Sequence, residues 1–381
     1  YSNFFFLNPI KDIAHKILSD PKQSPALARP GALARRGRAV AAGLLGSAAL
    51  ALAPAWGATC DLSWQLSAQL DSSPRSLTVT LRLPAAGRSR TLLRLPAGWQ
   101  GLQADDEATQ ALQPVAGDAS LRRLDHAASG ELVLRWRAQP GPGDAALRLE
   151  RDWVAVFGQA VLPVPEAAAD GRPQALCVAL DGLPADSRTI ASAGLADRGA
   201  PGSWQFSGPA AQLQMALFAG GALQSQSRTA EGQALTVWAP ASTTAPGSTT
   251  APDRPDRLAA LADTAAAAVT QQRRFWRDTD APPLTALLLP APSGSAPEGS
   301  ALGAAAGGLL LLQVPTDAAA SSSGLIAAWT EALLRQRLPD RLGPQVVSGR
   351  RDEALRAWLG EGLVAFYTHR LLLATGAWTA D

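Results

Sequence analysis

Two hydrophobic patterns divide the chain. From about residue 60 to 240, apolar and polar residues alternate in short runs. Examples are Ser76–Leu83 (SLTVTLRL), Glu131–Trp136 (ELVLRW) and Ala146–Glu150 (ALRLE). A period of two turns alternate side chains to one face, which is the signature of half-buried strands. Turn formers at Ala85-Ala86-Gly87 and Gly141-Pro142-Gly143-Asp144 separate the runs. Short strands at regular spacing, without a long periodic helix, predict a β-sandwich over residues 59–239.

The pattern changes after residue 240. Ser242-Thr243-Thr244-Ala245-Pro246 recurs as Ser248-Thr249-Thr250-Ala251-Pro252, so residues 240–255 read as a Pro/Ser/Thr linker. From Asp256, Leu258, Leu261, Ala265 and Val269 fall on one helical face, and the run ends near Phe275-Trp276. Strands are expected at Thr285–Leu289 and Leu309–Val314, with a Gly/Ala/Ser-rich loop over Ser293–Gly308 between them. A helix capped by Ser323 should run to about Leu338 and stop at Pro339. Another, capped by Asp352, should run through Trp358 to about Leu373, with Gly376 as its stop. The fold class is therefore α+β: a β-sandwich, then a mixed α/β domain over 256–381. That domain reads as C-terminally truncated, because no closing element follows the last helix.

Composition changes the picture mainly at the N-terminus. The 381 residues are 47% apolar and only 17% charged, which suits a sizeable core. The formal charge of +2 is uneven: residues 1–58 contribute +5 and the remainder −3. No clustered basic face points to nucleic acid. All three lysines lie within residues 1–24, so that segment reads as an extension foreign to the rest, or as a short amphipathic helix around Pro9–Leu18. Arg35-Arg36-Gly37-Arg38 then precedes the apolar run Ala39–Ala53, and Ala55-Trp56-Gly57 follows. This is the basic, apolar, small-residue order of a secretory signal, with cleavage expected after Gly57 or Ala58. An uncleaved anchor is the alternative, but the run is shorter than the ~20 residues of a comfortable span. A periplasmic or secreted protein, with no stable membrane span after cleavage, is the expectation.

Only two cysteines occur, Cys60 and Cys177, both beyond the signal. An even count in an exported chain favours one disulfide between them. Two buried free thiols are the alternative.

The segments that carry candidate chemistry are Trp329-Thr330-Glu331-Ala332-Leu333-Leu334 and Trp358-Leu359-Gly360-Glu361-Gly362-Leu363-Val364-Ala365-Phe366-Tyr367. The second resembles the Trp-x-x-Glu-Gly-(apolar)-x-x-Tyr-Tyr helix of glycyl-aminopeptidase-type gluzincins, zinc metallopeptidases related to aminopeptidase N. Leu371-Leu372-Leu373-Ala374-Thr375-Gly376 fits the continuation of that helix. The first segment matches the preceding helix in register through Glu331 and through Arg337-Leu338-Pro339. The resemblance implies a thermolysin-like domain in which Glu331 falls on the general base and Glu361 on the third zinc ligand. Thr330 and Leu334 fall where the two histidine ligands should stand. Two histidines four residues apart share one helical face and reach one ion. Threonine is a poor zinc ligand and leucine is none. Gly303–Gly308 lacks the acidic group of the family's substrate strand.

No other histidine fills the gap. His126 lies in the β-rich half beside Asp125, where a surface loop is expected. His369 is eight residues past Glu361, about two helical turns away. Arg335, Arg337, Arg350 or Arg351 are candidate partners for Glu361, which would make it structural. Ser321-Ser322-Ser323 offers hydroxyls but no Gly-x-Ser-x-Gly elbow. The resulting expectation is a vestigial site, with Glu331 a vestigial base and Glu361 a vestigial ligand. No cofactor is expected, although the resembled family uses zinc. An inactive metallopeptidase-like protein binding peptide or protein follows from this. A zinc-dependent hydrolase with an unusual metal site and a purely structural exported module are the alternatives.

Overall fold

The computed structural model describes residues 60–98, 101–141, 146–169, 173–192, 195–241, 254–278, 283–291, 309–314, 322–342, 353–374, 376 and 378. The extension, the signal segment, most of the Pro/Ser/Thr linker and the loop ending in Gly303–Gly308 lie outside these residues.

The β-rich half forms three sheets. The largest has seven strands, built around Leu62–Gln69, which pairs antiparallel with Ser76–Pro84 and parallel with Gln174–Asp181. Two four-stranded sheets accompany it. The burial of Leu62–Gln69 alternates strictly, with Leu62, Trp64, Leu66 and Ala68 inward. That is the consequence of a period-two pattern on a sheet with one face buried. The inward residues join Leu77, Val79, Leu81, Leu134, Leu176, Val178 and Phe218 in one core. Trp64 is buried there, its indole N–H donating to the Pro163 carbonyl at 2.9 Å, which satisfies the single polar atom it carries inward.

The parallel pairing also explains the disulfide. Its register sets Ser63 opposite Cys177, and Asp61 N–H donates to the Ala175 carbonyl. The preceding residue, Cys60, is thereby brought to a Cα–Cα separation of 5.9 Å from Cys177, and the two are bonded. This is within the ordinary range for a disulfide. The described residues contain no free cysteine.

The second half is built on a four-stranded sheet with helices against one face and the β-rich half against the other. Its strands run in the order Leu223–Ala230, Gln233–Pro240, Leu284–Pro290, Leu309–Val314; the first pair is antiparallel and the others parallel. The compositional boundary at 240–255 therefore does not coincide with the sheet boundary. The hairpin 223–240 precedes the linker in sequence yet hydrogen-bonds to strands that follow it. The linker joins a strand to a helix of the same layered unit, a connection that composition alone does not reveal.

Strands Leu284–Pro290 and Leu309–Val314 are buried on both faces, as parallel strands covered on two sides must be. Leu284, Ala286, Leu288, Leu310 and Leu312 face the helices, with Leu258, Ala262, Ala265, Val269, Trp329 and Leu333 opposite. Leu287, Leu289, Leu309 and Leu311 face the β-rich half and meet Trp153, Phe157, Leu217 and Ala219.

Three helices complete this half: Arg254–Trp276, Ser322–Leu342 and Glu353–Ala374. The predicted periodicities are realised, with two differences: the middle helix begins at Ser322, so Ser323 lies within its first turn instead of capping it, and its far end also differs. The middle helix continues to Leu342 instead of stopping at Pro339. A proline removes its own backbone donor, and so close to a helix end that omits one bond from an already weak final turn. The last helix ends as expected. Gly376 adopts φ 69°, the left-handed conformation that glycine tolerates, and its N–H donates to the Leu373 carbonyl at 3.2 Å.

Candidate functional site

The Ser322–Leu342 helix is buried almost all round where it carries the candidate residues. Trp329, Thr330, Ala332, Leu333 and Leu334 are all inaccessible or nearly so. Trp329, Ala328 and Leu333 face the sheet. Leu334, one turn past Thr330, turns the other way. It is fully buried in a separate apolar cluster with Leu338, Val364 and Leu371, against which Trp276, Leu363 and Tyr367 pack. This cluster is where the Ser322–Leu342 and Glu353–Ala374 helices meet.

Glu331 occupies the remaining, half-open aspect of the helix. Its Oε1 accepts a hydrogen bond from Arg335 Nη2 at 2.7 Å, an i,i+4 ion pair with side chains 38% and 35% exposed. Of the arginines weighed as partners for an acidic residue here, Arg335 takes Glu331, while Arg337 pairs with Asp278 at 3.4 Å. Arg350 and Arg351 lie outside the described residues. Position 361 lies one turn before Val364 in the Glu353–Ala374 helix, so the backbone brings it near the end of the apolar cluster; its side chain is not among those described.

Zinc, the metal of the resembled family, can be tested against these residues. They do not fit it. Leu334 offers no donor atom and is buried among Leu338, Val364 and Leu371. Glu331 is already neutralised by a guanidinium. Among the described residues no group of three or more His, Cys, Asp and Glu side chains comes together. His126 is engaged in the β-rich half, its Nε2 2.9 Å from Thr91 Oγ1 and its Nδ1 2.7 Å from the Ala127 carbonyl. His369 is exposed and stacks edge-on against Trp378 with ring centroids 4.8 Å apart.

Sequence reasoning missed the aromatic group that seals the apolar cluster. Trp276 and Tyr367 meet at 5.0 Å, from helices 91 positions apart along the chain. The only local signal is the pair of doublets Phe275-Trp276 and Phe366-Tyr367.

No protein-family model and no curated protein matches the chain. Solved structures do. The chain is similar to the crystal structure of an aminopeptidase N family protein from Idiomarina loihiensis, with a TM-score of 0.58 at 12% identity. The match covers 83% of this chain and 55% of that one. Weaker likenesses are to leukotriene A4 hydrolase from Saccharomyces cerevisiae (TM-score 0.42, 11% identity, 84% of this chain and 49% of that one) and to an M1 zinc metallopeptidase from Deinococcus radiodurans (0.35, 16%, 71% and 63%). The chain thus spans about half of the first solved structure it matches. The fold is α+β and similar to that of the aminopeptidase N family, the level of relationship that the first likeness carries.

Proposed function

We propose that this is an exported, metallopeptidase-like protein that no longer performs zinc chemistry and instead binds peptide or protein. The observation that carries this reading is the burial of Leu334 among Leu338, Val364 and Leu371, one turn from Thr330. In an aminopeptidase N-like helix pair, the i and i+4 positions would each present an imidazole to the metal. Here one is a hydroxyl and the other is part of an apolar core. Glu331, the proposed vestigial base, is held by Arg335. Glu361 is the proposed vestigial ligand on the facing helix. The Cys60–Cys177 disulfide is compatible with an oxidising, periplasmic or extracellular setting.

The test is zinc itself. Protein purified after growth with added zinc should carry far less than one equivalent, because a lone carboxylate supplies little of the roughly 10–16 kcal/mol of complete structural sites. Thr330→His with Leu334→His restores imidazoles at i and i+4. That variant should gain zinc affinity by orders of magnitude in calorimetric titration, and adding Glu361→Ala should remove most of the gain. Stoichiometric zinc in the wild-type protein, or equal binding by wild type and double variant, would sink the reading and favour a hydrolase with an unusual metal site.

A further inference from the structure

A hydroxyl, an imidazole and a carbonyl stand in line at one end of the β-rich half. Strand Arg90–Arg94 pairs antiparallel with Asp118–Asp125, which sets Thr91 opposite Leu124 and Leu93 opposite Arg122. Residues two apart on a strand share a face. Thr91 therefore lies on the side of Leu93, which is fully buried in one core with Leu62 and Leu83 of the seven-stranded sheet. His126 comes two residues after Leu124, and its N–H donates to the Ser89 carbonyl at 2.9 Å, which extends the ladder by one step. The same alternation carries its ring to the side of Thr91.

Thr91 Oγ1 is 2.9 Å from His126 Nε2, and His126 Nδ1 is 2.7 Å from the Ala127 carbonyl oxygen. A carbonyl can only accept, so Nδ1 carries a hydrogen. In the neutral ring Nε2 then has a lone pair, and the Thr91 hydroxyl donates to it. A hydroxyl bonded to a base that a third group orients is the arrangement of an activated nucleophile. Both residues are half-buried. Thr91 also borders a cavity of about 550 Å³ between the two sheets, a size suited to a small molecule. Leu62, Leu83 and Ala168 give the cavity an apolar wall. Three of its four charged residues are engaged: Arg90 with Asp125 at 2.8 Å, Glu166 with Arg94 at 3.2 Å, and Asp61 with the Ala175 N–H at 2.8 Å. The fourth is Arg88, whose guanidinium has no partner among the described residues.

We propose that Thr91 and His126 form a nucleophile and base that hydrolyse small uncharged esters whose acyl group enters this cavity. Thr91 Oγ attacks the ester carbonyl carbon while its proton passes to His126 Nε2. The bond from that carbon to the leaving oxygen then breaks, and the leaving alcohol takes the proton from Nε2. Water attacks the acyl carbon next and gives a proton to Nε2. The acid departs as the bond to Thr91 breaks, and Thr91 Oγ recovers the proton. The Ala127 carbonyl keeps the ring in one tautomer throughout, and Arg88 is the cation open to the negative charge that develops on the carbonyl oxygen. These residues lie outside the helices that carry Glu331 and Glu361, so the chemistry does not depend on a metal there.

The probe is p-nitrophenyl acetate with the full chain, followed by release of p-nitrophenolate and by peptide mapping after an acid quench. Hydrolysis above the buffer rate, unchanged by 1,10-phenanthroline, and an acetyl group on Thr91 are expected. Thr91→Val and His126→Gln should each lower the rate about a hundredfold, the order contributed by a positioned general base, whereas Thr91→Ser should stay close to wild type. Melting curves show that each variant compared is folded, and the acetyl mapping uses the wild type alone. No hydrolysis above buffer, acetylation that spares Thr91, or an unchanged rate in folded Thr91→Val would overturn the proposal. Loss of the activity to phenanthroline would overturn it in favour of a metal-dependent hydrolase, and would count against the zinc-free reading as well. Failure with the zinc result intact would overturn the Thr91–His126 pair alone.

Discussion

Arg335 reaches back one helical turn to Glu331, its Nη2 donating to Oε1 at 2.7 Å. Both side chains remain more than a third exposed, so water screens the pair and it contributes little to stability. Exposed i,i+4 pairs are worth about 0.3–0.5 kcal/mol. Glu331→Gln and Arg335→Ala should each lower the unfolding free energy by about that much, and the double variant by scarcely more. Urea denaturation of the four proteins closes the cycle. A loss of several kcal/mol from Glu331→Gln would mean that the carboxylate does more than hold Arg335.

Leu334 should behave as a core residue, and Leu373 as its control. Leu334 is fully buried and Leu373 is 45% exposed. Truncating a buried leucine removes its transfer energy and leaves a cavity, at a cost of about 2–5 kcal/mol. Leu334→Ala should fall in that range by chemical denaturation, and Leu373→Ala should stay within about 0.5 kcal/mol of wild type. Similar effects from the two would contradict the packing described for position 334.

The Cys60–Cys177 bond closes a separation of 117 residues. In the chain-entropy model a loop of this size is stabilised by about 4–5 kcal/mol. Non-reducing peptide mapping of the native protein should give one linked pair. The double Cys→Ser variant should unfold at markedly lower denaturant. Two thiols that react with iodoacetamide in the native protein would be the contrary result.

Asp118 carries the pH dependence that can be read from the structure. The Ser120 hydroxyl donates to its Oδ1 at 2.7 Å and the Ser120 N–H at 2.9 Å, while Arg94 Nη1 donates to Oδ2 at 2.9 Å. These bonds, the Ser120 hydroxyl first, hold its pKa down to about 2. A carboxylate whose folded pKa is depressed stabilises the fold above its unfolded value, near 3.9, and that stability is lost as pH falls through the folded value. Asp118→Asn should therefore be less stable than wild type at pH 7, and the gap should narrow between about pH 4 and 2. Thermal melts across that range give the comparison, and a gap constant from pH 7 to 2 would contradict it.

The chain's local patterns determined its elements. Period-two runs became strands such as Ser76–Pro84, and the face of Leu258, Leu261, Ala265 and Val269 became part of the Arg254–Trp276 helix. Continuous apolar runs became the doubly covered strands Leu284–Pro290 and Leu309–Val314. The absence of histidine at 330 and 334 was also plain, because it is a matter of composition at two positions. Periodicity and residue identity are local, and the backbone obeys them before any long-range contact forms.

Only the tertiary structure decided who meets whom. Parallel pairing of Leu62–Gln69 with Gln174–Asp181 is what brings Cys60 to Cys177. Hydrogen bonding of Gln233–Pro240 to Leu284–Pro290 gathers the hairpin before the linker into the sheet after it. Glu331 takes Arg335 because the two are one turn apart on a half-open face, while Arg337 turns to Asp278. Leu334 becomes core because Val364 and Leu371 of the next helix cover it, and Trp276 and Tyr367 close over the same cluster. Apart from the Glu331–Arg335 pair, which lies within one helix, these outcomes depend on packing between segments distant in sequence. A strand's partner and a buried side chain's neighbours are settled by which surfaces fill space together, and that information is spread over the whole chain rather than carried by any one stretch of it.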